Sequence, residues 1–357
     1  MISRRQFAAL TASAAILPSV ARAADVSMKL GNAAGIVDPQ LSFATIGMHP
    51  KLGYYAAEGI ALEVVNMSSS SQTMQALATG AVDFATINAL TFLPVFAKNP
   101  RLDVVCAYEW CPQAYWDVSV KPDSPVQSLR DLKGKKIGIR NTGDTGYFGA
   151  RGSMAEIGMD PDNDVEWISV GNGGPAGDAL YRGRVDALAI WDGEDARIEL
   201  AGFKLRYLPS TPMTQKLFGA TYGVNRERLA KSRAEYVGLF RAMAKSTVFV
   251  AANMDVAIKL HWDLYPESKP KGIPEDQALA ETRTIVGRRA PKWFAPAGAA
   301  DQRMGASGLD AWKIATAYTG TTAKIPDPSA LFTNDLIDDI NRFDRAQIAA
   351  QAKGMTL

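Results

Sequence analysis

Two loops of this 357-residue chain carry polar groups that could grip a small molecule without reacting with it. The first is Asn141-Thr142-Gly143-Asp144-Thr145-Gly146. It lies between an apolar run at 136–140 and a helical stretch from 147. Its glycines let backbone N–H groups face outward, and a helix N-terminus favours an anion or a carbonyl oxygen. Asn141, Thr142 and Thr145 are its candidate ligand contacts; a plain capped turn is the alternative. The second loop is Ser68-Ser69-Ser70-Ser71-Gln72. There Ser70 and Gln72 either meet a ligand or cap the helix that follows. Asn88 ends another apolar run, with an amide that both donates and accepts. Trp191-Asp192 sets a flat stacking ring beside an acceptor for an amine or ring N–H. Tyr108-Glu109-Trp110 and Tyr115-Trp116 crowd aromatics into nine positions, which suits a planar solute. Packing in a core is their competing use; Glu109 and Trp110 are the candidates. Gln40 and Phe43, in the loop after the first strand, join them.

Catalytic and metal chemistry finds little support. His49 and His261 have no partners at ligand spacing, so no metal site is expected. Asp38, Asp144 and Asp192 show no spacing that argues an acid/base pair. Cys106 and Cys111 are five apart, a poor disulfide geometry in a strand unless a turn intervenes at Trp110-Cys111-Pro112. The expectation is binding without catalysis and without a cofactor.

A repeat shows what positions these residues. Ala76-Leu77-Ala78-Thr79-Gly80-Ala81-Val82-Asp83 returns 103 residues later as Ala179-Leu180-Tyr181-Arg182-Gly183-Arg184-Val185-Asp186. A glycine after an apolar helical stretch is a helix stop, and Val-Asp before an apolar run opens a buried strand. The periodicity predicts strands at 26–31, 60–66, 82–87 and 102–107, and again at 136–140, 165–170 and 185–191. Helices are expected at 72–79, 90–98, 147–157 and 175–182. Strand–helix–strand alternation means parallel sheets with helices on both faces. Ligands then bind beyond the carboxyl ends of the strands, where the loops above lie. From Asn225 the chain reads as helical, including one helix over 332–353 capped by Thr333.

The ends and the charge point to export. Ser3-Arg4-Arg5-Gln6-Phe7, a mildly apolar stretch and Ala21-Arg22-Ala23 read as a signal peptide of residues 1–23, of twin-arginine or ordinary secretory type. The whole chain has 39 basic and 37 acidic residues. Cleavage after Ala23 leaves 36 and 37, because Arg4, Arg5 and Arg22 depart. No basic excess remains for nucleic acid or a membrane surface. No segment reaches the length of a membrane span, so a periplasmic location is expected.

Leu52-Gly53-Tyr54-Tyr55-Ala56-Ala57-Glu58-Gly59-Ile60, residues 76–85, Leu129-Arg130-Asp131-Leu132-Lys133-Gly134-Lys135-Lys136-Ile137-Gly138 and Leu331-Phe332-Thr333-Asn334-Asp335-Leu336-Ile337-Asp338 stand in one order. Together they resemble the substrate-binding proteins of nitrate, sulfonate, taurine and thiamine-pyrimidine ABC transporters. The resemblance implies an α/β periplasmic-binding-protein fold: two doubly wound α/β lobes joined by two crossover strands, with a helical C-terminal region. It implies one lobe of residues 24–113 plus 224–357 and an inserted lobe of 114–223. The crossovers would fall at 112–118 and 222–224, which adds Tyr222 to the candidate contacts. It further implies closure on a small solute and its delivery to a membrane permease and ATPase complex; with the aromatic residues above, the expectation is a monomer that takes a small polar organic solute (planar aromatic, pyrimidine-like or sulfonate-type). The alternatives are a ligand sensor that presents its solute to a receptor, and a pyrimidine synthase that uses pyridoxal phosphate. The synthase reading lacks its cysteine cluster in this chain.

Overall fold

The computed structural model describes residues 26–357, so the leader expected at 1–23 lies outside the described residues. Ten strands form two five-stranded sheets. They are β1 (Val26–Asn32), β2 (Ile60–Asn66), β3 (Phe84–Ile87), β4 (Val104–Cys111), β5 (Trp116–Val120), β6 (Lys136–Ile139), β7 (Glu166–Ser169), β8 (Ala187–Trp191), β9 (Arg206–Tyr207) and β10 (Ala220–Asn225). The first sheet runs β2-β1-β3-β10-β4 and the second β7-β6-β8-β5-β9. In each, three strands are parallel. The strand that arrives after a passage from the other sheet pairs antiparallel with the third: β10 with β3, and β5 with β8.

The 103-residue repeat is one corner built twice. Gly80 and Gly183 end their helices with φ of 75° and 71°, the left-handed region that a Cβ disfavours. The chain then turns into β3 or β8. Asp83 accepts a hydrogen bond from the Lys29 backbone N–H at 2.5 Å, and Asp186 from that of Lys136 at 2.8 Å. Each aspartate thus pins the start of its last parallel strand to the first parallel strand of the same sheet.

Two expectations need correction, while the poor disulfide geometry read for Cys106 and Cys111 holds. Residues 222–224 are not a crossover: they pair inside the first sheet, between β3 and β4, and the second passage runs over 208–219. The helix expected over 332–353 is broken into Ile337–Ile340 and Arg345–Gly354. Asp344 ends the continuity by capping the second piece, accepting from the backbone of Ala346 and Gln347, while Thr333 binds the N–H of Asp335 in a turn. No turn separates Cys106 from Cys111. Both lie in β4 as buried free thiols, which burial pushes up to about 12.

The first sheet packs with the C-terminal helices in one large core that includes Phe84, Tyr222, Phe240 and Trp312. The second sheet has a smaller core on each face, one around Ile137 and Met154, the other around Leu180 and Leu188. Among the described residues no helix is long and apolar enough to cross a membrane.

Candidate functional site

A cavity of about 60 Å³ lies where the two sheets face each other. A water needs roughly 10–15 Å³ by this measure, so the space holds about four waters or one small solute. Its walls come from the carboxyl ends of parallel strands in both sheets, where an open α/β sheet presents its loops. Asn32 and Ala33 end or follow β1, Thr86 lies near the end of β3, Asp144 and Thr145 follow β6, and Trp191 ends β8.

Its aromatic wall is a continuous stack. Phe43 lies on Trp110 with ring centroids 4.8 Å apart and planes 19° apart. Trp110 faces Tyr115 at 6.1 Å and 28°. The guanidinium of Arg289 covers the far side, 3.7 Å from the Tyr115 centroid. Such faces attract flat rings and cations. Across the cavity, Arg140 sits over Trp191 at 5.3 Å.

The charges at the site are paired, some of them between the halves built on the two sheets. Arg289, at the end of the helix Glu275–Arg289, is buried and grips Asp192 of the second sheet's helix Asp192–Leu200. Its Nε lies 2.8 and 3.0 Å from the two carboxylate oxygens, and Lys292 Nζ reaches the same carboxylate at 2.9 Å. Burial pushes the Asp192 carboxyl up, but Arg289 and Lys292 more than offset it and hold it below the usual range. Arg197 pairs with Asp38 and, at 3.3 Å, with Glu194. Arg140 bonds Asp144 at 3.2 Å and reaches the backbone carbonyl of Ala34 at 3.2 Å. Burial raises the Asp144 carboxyl, and Arg140 counters only part of that. The two candidate loops also touch: Asn141 Nδ2 lies 3.5 Å from the Ser68 carbonyl oxygen.

Six of the candidate residues line the cavity: Gln40, Phe43, Ser70, Trp110, Thr145 and Trp191. The others lie elsewhere. Asn88 caps its helix through Leu90 N–H and donates to the Gly219 carbonyl. Gln72 is exposed and accepts from Ser68. Thr142 is exposed. Asn141 caps Gly143 at 2.9 Å. Asp192 stands behind Arg289. Tyr222 is buried in the first core, edge-on to Phe84. Glu109 points away from the cavity, accepts from Ser307 Oγ at 2.9 Å, and is pushed up to about 8 by burial. Asn32, Asp38, Thr86, Tyr115, Asp144 and Arg289 are lining residues that sequence reasoning did not select. The only sequence signal for Arg289 is a basic pair, Arg288-Arg289, at a helix end. Among the described residues no group of three or more His, Cys, Asp or Glu side chains could hold a metal ion.

Residues 40–257 match the family model described as NMT1/THI5 like. The chain belongs to that family. Solved structures give the same architecture. The alkanesulfonate-binding protein SsuA of Xanthomonas axonopodis pv. citri, bound to MOPS, is 17% identical with a TM-score of 0.60, over 89% of this chain and 99% of its own. The periplasmic aliphatic sulphonate binding protein SsuA of Escherichia coli is 17% identical with a TM-score of 0.62, over 89% and 92%. The periplasmic nitrate-binding protein NrtA of Synechocystis PCC 6803 is 13% identical with a TM-score of 0.50, over 94% and 100%. The fold is that of the periplasmic binding proteins. No curated protein matches the sequence.

Proposed function

We propose that this NMT1/THI5-like protein is the extracytoplasmic solute-binding component of an ABC importer. It takes a small polar organic solute with a planar or aromatic body into the cavity between two lobes, one built on each sheet. The lobes hinge at the passages 112–115 and 208–219, close on the solute and leave its bonds intact. The loaded, closed form is what a permease and ATPase complex would recognise in the periplasm. The observation that carries this reading is the aromatic cavity at the strand ends of both sheets, with Phe43, Trp110 and Tyr115 on one side and Trp191 on the other. A binding protein needs a site that both halves complete, because only then does closure depend on the ligand.

A thermal-shift screen of the chain from Ala24 onward against sulfonates, aromatic acids and amides, pyrimidines and amines tests it. A ligand at 100 times its dissociation constant adds about 2.7 kcal/mol of stability. Calorimetry of the best binder then follows with Trp191→Ala. Loss of a stacking ring in a desolvated site should cost about 1–3 kcal/mol. Unchanged affinity would remove Trp191 from the site. Turnover of the bound compound would end the non-catalytic reading.

A further inference from the structure

Each charged group that lines the cavity already has an opposite charge beside it. Arg289 is held by Asp192 through three contacts of 2.5–3.0 Å, with both side chains almost wholly buried. Asp144 is held by Arg140, and Asp38 by Arg197. Asp192 takes the Nε and Nη2 edge of Arg289, so an entering anion would have to compete with Asp192 or settle for Nη1 of a guanidinium whose charge is already answered. An entering cation would have to displace an arginine from Asp38 or Asp144. An ion that wins neither contest stays unpaired in a place that excludes most water, and that is strongly unfavourable. The lining polar groups without a charged neighbour are neutral. The Trp110 indole N–H is buried without a hydrogen-bond partner, in a residue only 7% exposed. A buried donor of that kind calls for an acceptor. Ser70 and Thr86 line the same space.

We propose that the site selects uncharged flat solutes that carry a neutral hydrogen-bond acceptor, a carbonyl oxygen or a ring nitrogen, and discriminates against anions of the same shape. Asp192 is the specificity-determining residue: among the described residues it holds Arg289, the arginine that lines this cavity. This assignment rests on the proposed solute-binding role and narrows its ligand class.

The test uses matched pairs that differ in charge and hardly in shape: benzamide with benzoate, and nicotinamide with nicotinate. Binding to the chain from Ala24 onward is measured by calorimetry at constant pH and salt. The expected result is that an amide binds and its carboxylate partner binds at least about 100-fold more weakly. Asp192→Asn should narrow that ratio to tenfold or less, because it frees Arg289 for the carboxylate. A carboxylate that binds the native chain as tightly as its amide would overturn the charge assignment and leave the solute-binding role standing. A ratio that Asp192→Asn leaves unchanged in a folded variant would overturn the role given to Asp192. If no member of either pair binds, and the wider screen also finds no ligand, both the assignment and the reading beneath it fall.

Discussion

Replacing Asp192 by Asn should open the molecule rather than unfold it. The carboxylate answers Arg289, whose side chain is 4% exposed, and Lys292, whose side chain is 24% exposed. Removing one partner of a buried pair costs about 3–5 kcal/mol, because a charge is left without compensation. The Tyr115 face, 3.7 Å from the guanidinium, is in place with or without the carboxylate and offsets none of this. The whole cost of about 3–5 kcal/mol remains, a factor of roughly 150–4,000 in an equilibrium. The converse change, Arg289→Gln, should cost less, about 1–2 kcal/mol, because Asp192 keeps Lys292 at 2.9 Å. Changing both, Asp192→Asn with Arg289→Met, should return close to the starting point. Asp192 belongs to a helix of the second sheet and Arg289 to the helix Glu275–Arg289, so under the proposed hinge motion parting the lobes would hydrate both ions without melting either core. The penalty therefore falls on the closed form alone. Small-angle scattering should show a larger radius of gyration for Asp192→Asn, a smaller increase for Arg289→Gln and little for the double change. The urea midpoint should move little in all three. An unaltered scattering curve with a full loss of about 3–5 kcal/mol in urea would show the pair to be an ordinary core contact, and the lobes to be one fused body.

Two further changes test other contacts. A methyl group at Gly193 would strike the side-chain amide of Gln40, which donates to the Ile285 carbonyl at 2.9 Å. Gly193→Ala should weaken ligand binding by about 1 kcal/mol, the worth of one hydrogen bond, with the melting temperature of the empty protein unchanged; calorimetry and a melting curve check both. Glu109, pushed up to about 8 by burial, binds a proton more tightly folded than unfolded, so its contribution is greatest below the ordinary carboxylate range and is lost as pH rises through 8. Glu109→Gln should remove that dependence, gaining about 3–5 kcal/mol over the native chain at pH 9 and little at pH 4; equal urea curves for the two proteins at pH 9 would contradict it.

Local periodicity revealed much of this molecule, since helix stops, strand starts and the loops between them depend on neighbours in sequence. The Gly80 and Gly183 corners, β2 at Ile60–Asn66 and a loop after β6 follow from that kind of information, although the next helix begins at Thr145, two residues earlier than the periodicity predicts. The site was harder. Glu109 and Trp110 read as one motif, yet adjacent residues of a strand point to opposite faces, so β4 sends Trp110 to the cavity and Glu109 to Ser307. Every residue of β4 is buried, so no polar alternation shows which face is which. Asn88 and Asn141 have side chains that serve a ligand or a backbone N–H equally well, and here the backbone has them. Arg289 meets Asp192 across 97 residues of chain, a pairing set by how the helix Glu275–Arg289 docks rather than by any spacing.

The strand order also sets a timetable for assembly. The strands of the second sheet, β5 to β9, are consecutive in the chain and close by residue 207, whereas β3 and β4 lack the strand between them until residue 225 has been made. On the ribosome the inserted half can therefore mature while the half that begins the chain is still waiting for its keystone. Pulse-labelled hydrogen exchange during refolding should protect Ile137 and Leu188 before Ala85 and Val105; the reverse order would show that β10 docks early despite its place in the chain.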